Sequence, residues 1–141
     1  MTTNAPGKAG TARNPATVWT VPEPLRAIYS HACEVRSNVR TLFISGQFGV
    51  DPQGGIPADF EGQCANAMDN VERLLADAGM TRSDIVKLSY FLVRTEDAPK
   101  LAEMRRGRWA TDDPPSVTML VVSALARPDF LIEIEAVAAA Q

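Results

Sequence analysis

Few side chains in this 141-residue chain are equipped for chemistry, and they stand far apart in sequence. Glu133 lies between Ile132 and Ile134. In a strand it points away from those two isoleucines. On a solvated face beside Glu135 it does nothing in particular. In an apolar site, desolvation raises its pKa towards neutrality, which suits a general acid or base. Ser45-Gly46-Gln47 reads either as a strand-end turn or as a place where the missing side chain of Gly46 lets a ligand approach a backbone N–H closely. Ser45 is not expected to be a covalent nucleophile, because the single histidine, His31, has no acidic partner near it in sequence. Tyr29 is a core residue or a site residue. "RRGRW" (105–109) places Arg105 and Arg106 three and four residues beyond Ala102, on one helix face. They form a solvated, dipole-complementing helix end, a nucleic-acid patch, or an anchor for an anionic ligand. His31, Cys33 and Cys64 are expected to be structural or on the surface. One histidine and two cysteines so dispersed make no zinc site, so no metal is expected.

The elements that must position these groups are legible in outline. "DDPPSVTMLVV" (112–122) stops a helix and starts a strand, with Val117, Met119 and Val121 on one face by the two-residue period. Strands are expected at 25–35, 40–46, 83–93, 117–124 and 131–138, with "DPQGG" (51–55) as a loop. Between Asp59 and Gly79, Phe60, Cys64, Ala67, Met68, Val71, Leu74, Leu75 and Ala78 recur at three- and four-residue steps. Asp59 is a suitable N-cap and Gly79 a suitable C′ residue. A second helix is expected over 96–110, capped by Asp97, with Pro99 in its first turn and Gly107 weakening its end. In the strand at 83–93, Val86, Leu88, Tyr90 and Leu92 are expected on one face, and Ile85, Phe91 and Val93 on the other. Two helices cover one face of a mixed sheet. The central strands are apolar on both sides, so the uncovered face predicts self-association and a site between subunits.

Composition narrows the class. The length is that of one domain, with 17–141 as the folded unit and 1–16, small and polar, as a flexible tail. The net charge of −3 disfavours broad nucleic-acid binding. No apolar run approaches the ~18 residues of a membrane span, and no secretory signal opens the chain. A reduced, cytoplasmic setting is expected.

Residues 18–140 resemble the Rid family, also called YjgF. The resemblance rests on "FISGQFGVDPQGGIPADFEGQCANAMDNVERLLADAGMTRSDIVKLSYFLV" and on "LIEIEAVA" (131–138). It implies an α+β, chorismate-mutase-like fold with a six-stranded mixed sheet and two helices on one face. It also implies a homotrimer with a site at each subunit interface. In the deaminating branch, members hydrolyse reactive enamines and imines to keto acids and ammonia without cofactor or metal. There an arginine binds the substrate carboxylate and a glutamate helps position water. Some members are described as ribonucleases. By this resemblance Tyr29 and Glu133 match catalytic positions, and Ser45, Gly46 and Gln47 match the substrate-binding triplet. Ala102 replaces an asparagine, Val117 stands where the arginine belongs, and Met119 stands where a cysteine follows. The expectation is a diverged small-molecule enzyme of weak or absent 2-imino acid deaminase activity, with Arg105 or Arg106 as a substitute anchor. A non-catalytic ligand-binding protein and, less favoured, a ribonuclease are the alternatives.

Overall fold

The computed structural model describes residues 8–141. Strand β1 (Gly10–Arg13) pairs antiparallel with β2 (Ala32–Val35). Then come β3 (Arg40–Phe48), α1 (Phe60–Asp77), β4 (Ile85–Leu92), α2 (Ala98–Arg108), β5 (Ser116–Val121) and β6 (Ile132–Ala140). The last four strands form one sheet in the order β3-β6-β4-β5, antiparallel except for the parallel β4–β5 pair. The α+β class and the two helices stand as expected. The six strands divide, however, into a four-stranded sheet and a separate two-stranded ribbon.

Helix α1 forms as its pattern predicts. Asp59 accepts the Gly62 N–H at 3.3 Å. At the other end Gly79 takes a positive φ of 71°. Met80 N–H then reaches Leu75 O at 2.8 Å and Gly79 N–H reaches Ala76 O at 3.0 Å, a Schellman closure. Phe60, Cys64, Ala67, Met68, Val71 and Leu75 are buried against Ile44, Leu88, Tyr90, Leu92, Ile132 and Ile134 of the sheet. Leu74, expected on that stripe, is exposed. Gln63 instead is buried, donating to Pro57 O and Asp129 O and accepting from Leu131 N–H. Asp97 begins α2 without capping it. Its buried carboxylate takes both ends of the Arg94 guanidinium, at 2.8 and 3.1 Å.

Three local expectations fail for identifiable reasons. The stretch 25–35 is a strand only from Ala32. Before it lie a 3-10 turn at Glu23–Leu25, started by Pro22 and Pro24, and a single bridge from Ser30 to Ser116. Gly10–Arg13, read as tail, is a strand because β2 offers it a free edge, with Asp113 taking the Ala12 N–H at 2.8 Å. In β4 a register shift between Ile85 and Lys87 breaks the two-residue alternation. Ile85 therefore joins the core under the helices. Val86 turns to the opposite face and packs with Ala9 and Ala139 beneath the ribbon. The rest of that face is open. It carries Phe43, 78% exposed, with Phe91, Leu120 and Val137 interleaved among Ser89, Glu133 and Glu135. It is less uniformly apolar than the sequence suggests.

Candidate functional site

Strand β6 pairs Glu133 with Phe91 and Phe48, and Ile134 with Tyr90. Ile134 and Tyr90 face the helices, so Glu133 faces away from them. A register shift between Ile44 and Gln47 bulges β3 at Ser45–Gly46. The Glu133 side chain occupies the space this opens: a side-chain carbon on Gly46 would stand 1.8 Å from Glu133 Oε1. A side chain at position 46 would therefore displace the Glu133 carboxylate, which lies over the backbone there. Ser45 is exposed beside it, and Gln47 folds its amide back onto Ser45 O at 2.9 Å. Burial, then the neighbouring Glu135 charge, raises the Glu133 pKa above the ordinary carboxylate range.

Val117 and Met119 do not join this group. β5 aligns Val117 with Leu88 and Met119 with Tyr90, which puts both on the helix side of the sheet. The resemblance assigns Glu133, Val117 and Met119 to one site, but within one chain Glu133 lies on the opposite face, because the β4 partners Phe91 of Glu133 and Tyr90 of Met119 are adjacent residues. Val117 and Met119 instead line a cavity of about 240 Å³ between β5 and α2, closed by Leu25, Tyr29 and Ala102. Its walls are apolar apart from Tyr29 and Arg105.

Tyr29 is held by a cluster the sequence reading did not include. Its ring stacks on Trp19, with centroids 5.9 Å apart. His31 Nε2 lies 2.6 Å from Trp19 O. A carbonyl only accepts, so Nε2 carries the hydrogen, and in the neutral ring Nδ1 accepts from Tyr29 Oη at 3.1 Å. Asn14 fixes the backbone by taking the His31 N–H at 2.8 Å. The signal in the sequence was Trp19, a large aromatic in an otherwise small, polar segment.

Arg105 also lines this cavity, but its guanidinium is engaged elsewhere. Its guanidinium donates to Ile28 O and lies 4.8 Å from the centroid of the Tyr90 ring. Ile28 and Tyr90 line a different cavity and not this one. Arg106 is exposed on the far side of α2. Arg108 is structural: it pairs with Asp69 and Glu72 of α1, both at 2.6 Å. Cys33 is half-buried. Cys64 sits in the core, where burial holds its thiol up at about 12. Among the described residues no cluster of histidine, cysteine and carboxylate side chains is placed to hold a metal ion.

The family described as endoribonuclease L-PSP matches residues 22–140. This chain belongs to that family. Several solved relatives carry the Rid name, and others are described as endoribonucleases. A Rid-family protein of Yersinia pestis, YyfB, superposes with a TM-score of 0.81 at 30% identity, covering 92% of this chain and 98% of its own. Escherichia coli TdcF, whose name describes a reactive intermediate deaminase, is 32% identical over 99 residues, 69% of this chain and 77% of TdcF. A RutC family protein of Pyrococcus abyssi is 31% identical over 119 residues, 83% of this chain and 89% of the relative. The Rid-family fold, α+β and chorismate-mutase-like, is therefore that of this chain. No helix among the described residues is long and apolar enough to cross a membrane.

Proposed function

We propose that this protein is a Rid-type hydrolase of an enamine, an imine or a related unsaturated metabolite, with a site completed by packing the open sheet face of one subunit against the β5–α2 cavity of another. The observation that carries the reading is the Glu133 carboxylate, seated over the Gly46 backbone with a raised pKa and no hydrogen-bond partner among the described residues. An acid of that kind accepts a proton from water as the oxygen adds to an imine carbon. It returns that proton to the nitrogen to give a carbinolamine, then carries the hydroxyl proton to the same nitrogen, so that the C–N bond breaks, ammonia leaves and the carbonyl forms. The trimer brings Glu133 of one copy and Tyr29 of the next to one substrate, since a single chain holds them on different faces. Metal or cofactor has no assigned part in these steps.

Substrate choice follows from the cavity wall. An arginine in the place of Val117 would hold a substrate carboxylate in a two-point, charge-assisted pair, and valine offers only apolar surface. Loss of such a contact weakens affinity by about 10- to 150-fold. The preferred substrate is therefore less anionic or more apolar than a small 2-imino acid. RNA cleavage is disfavoured by the net charge of −3 and by the apolar cavity wall.

The test is release of ammonia together with pyruvate from enzymatically generated 2-iminopropanoate, and together with the keto ester from the imine of a pyruvate ester. The native protein should favour the uncharged ester. Val117→Arg should raise kcat/KM for 2-iminopropanoate by roughly tenfold or more, and Glu133→Gln should lower turnover of both by about 10²–10⁴. Native activity favouring the free acid, unchanged by Val117→Arg, would overturn the substrate reading. Unchanged turnover in folded Glu133→Gln would remove Glu133 from the reaction. A protein that binds these compounds and turns over none is a ligand-binding member of the family.

A further inference from the structure

Beneath α2, on the side away from the β5 cavity, lies a second cavity of about 200 Å³. Two polar groups in its wall lack the partners their burial calls for. Tyr90 is 0% exposed, and its Oη makes no hydrogen bond of good geometry among the described residues, although the Arg105 guanidinium lies near enough to interact with it. Arg105 is 7% exposed, and no carboxylate of the described residues lies within ion-pair distance of it. Its one hydrogen bond to protein is the Ile28 carbonyl, which leaves most of its five N–H donors unused. A buried cation without a counter-ion is costly, and so is a buried hydroxyl without a partner.

The remaining wall supplies a consistent chemistry. Ile28, Leu88 and Trp109 give it an apolar side. Lys8 and Arg82 add positive charge, and Asp113 is the only acid of the described residues there. Asp113 is already committed, to Lys8 Nζ at 3.1 Å and to the Ala12 N–H at 2.8 Å. Burial pushes the Tyr90 hydroxyl above its ordinary range, so it remains protonated and able to donate. Apart from the Ser83 and Thr111 hydroxyls, which can donate or accept, the free polar side chains facing the space are thus donors or cations. The volume falls below the ~300 Å³ lower end of drug-sized sites, so the occupant is small.

We propose that this cavity binds a small aliphatic carboxylate, its oxygens on the Arg105 guanidinium and Tyr90 Oη and its alkyl end against Leu88 and Trp109. The site is separate from the one between subunits: Tyr90, Ile28 and Trp109 line this cavity alone. Arg105 is the shared wall, its charged end here, so occupancy of one is placed to alter the other.

Trp109 is the reporter. In a Trp19→Phe background it is the remaining tryptophan. Its fluorescence should change saturably on titration with butyrate and not with butyramide, the neutral isostere. Tyr90→Phe removes only the unpartnered hydroxyl, so the protein should fold, and butyrate affinity should fall by about tenfold or more. Arg105→Met should abolish the response. Three results would overturn the proposal: no saturable response at roughly 10 mM butyrate, an equal response to butyramide, or undiminished affinity in folded Tyr90→Phe. The first would mean that the cavity holds water only.

Discussion

Glu133 and Glu135 are two residues apart in β6 and therefore stand on one face. Partial burial disfavours the Glu133 charge and the neighbouring Glu135 adds to this, so the Glu133 pKa is raised. A group whose folded pKa exceeds its unfolded one stabilises most below the unfolded value, and that contribution is lost as pH rises through the folded value. Ionised Glu133 thus works against folding at neutral pH. Glu133→Gln should gain melting temperature relative to the native chain as pH rises from about 4 to about 7. A constant difference between the two melting curves across that range would show that the carboxylate is not perturbed. The candidate itself was legible, because Ile132-Glu133-Ile134 alternates and its position matches a Rid residue. Its surroundings were not. Sequence spacing says that Glu133 and Val117 each lie in a strand, but not that the β4 pairing sends them to opposite faces. Arg105 was legible as a residue near the β5 cavity. That its charged end lies on the opposite side could be seen only once Tyr90 and Ile28 were in place.

At the scale of elements, whatever depends on local rules was readable and whatever depends on a partner was not. Helix α1 carried its period, its Asp59 cap and its Gly79 stop within its own sequence. The 25–35 stretch has alternating apolar residues but no neighbour for its first half, since β5 takes only the Ser30 bridge. Strand β1 has no apolar signal and exists because β2 has a free edge. The β4 shift that exchanges Ile85 and Val86 leaves no mark in composition. The docking of α2 on α1 was also hidden, and Glu72 shares in it with Asp69. Glu72 accepts from Arg108 Nε at 3.3 Å, from its NH2 group at 2.6 Å and from Trp109 Nε1 at 2.8 Å. Burial pushes its pKa up, but these bonds outweigh burial and hold it below the usual range. The stability this brings is present above the unfolded pKa and lost as pH falls through the folded one. Glu72→Gln should therefore destabilise by about 1 kcal/mol near neutral pH, allowing for solvent screening, and by less as the solution is acidified. Chemical denaturation at pH 7 and at about pH 3.5 measures both. An equal loss at the two values would mean that the amide's altered shape, not the charge, is responsible.

At the scale of the molecule, the sheet is finished on one side only. Both helices lie on the face of Leu88, Tyr90 and Leu92, and the β1–β2 ribbon covers one end of the other. What remains open holds Phe43 at 78% exposure, with Leu120 at 49%, across the width of the sheet. Such a face on a chain of this size is suited to a partner, and a site divided between two faces requires one. On our reading the partner is the same chain, closed as a trimer about that face. A charge at position 43 separates assembly from folding. Phe43 has little contact to lose within its own subunit, so Phe43→Glu should leave the circular dichroism spectrum and the subunit fold intact. In the trimer it would bury a carboxylate without a counter-ion, a cost of several kcal/mol for each of three copies. Sedimentation equilibrium at micromolar protein should give three times the 15.2 kDa chain mass for the native protein and the chain mass alone for Phe43→Glu. Hydrolysis of the ester imine should disappear with the trimer, while the butyrate response of Trp109, contained in one subunit, should persist. A native protein that sediments as a stable 15.2 kDa monomer, or a monomeric variant that keeps full turnover, would rule out a site shared between subunits.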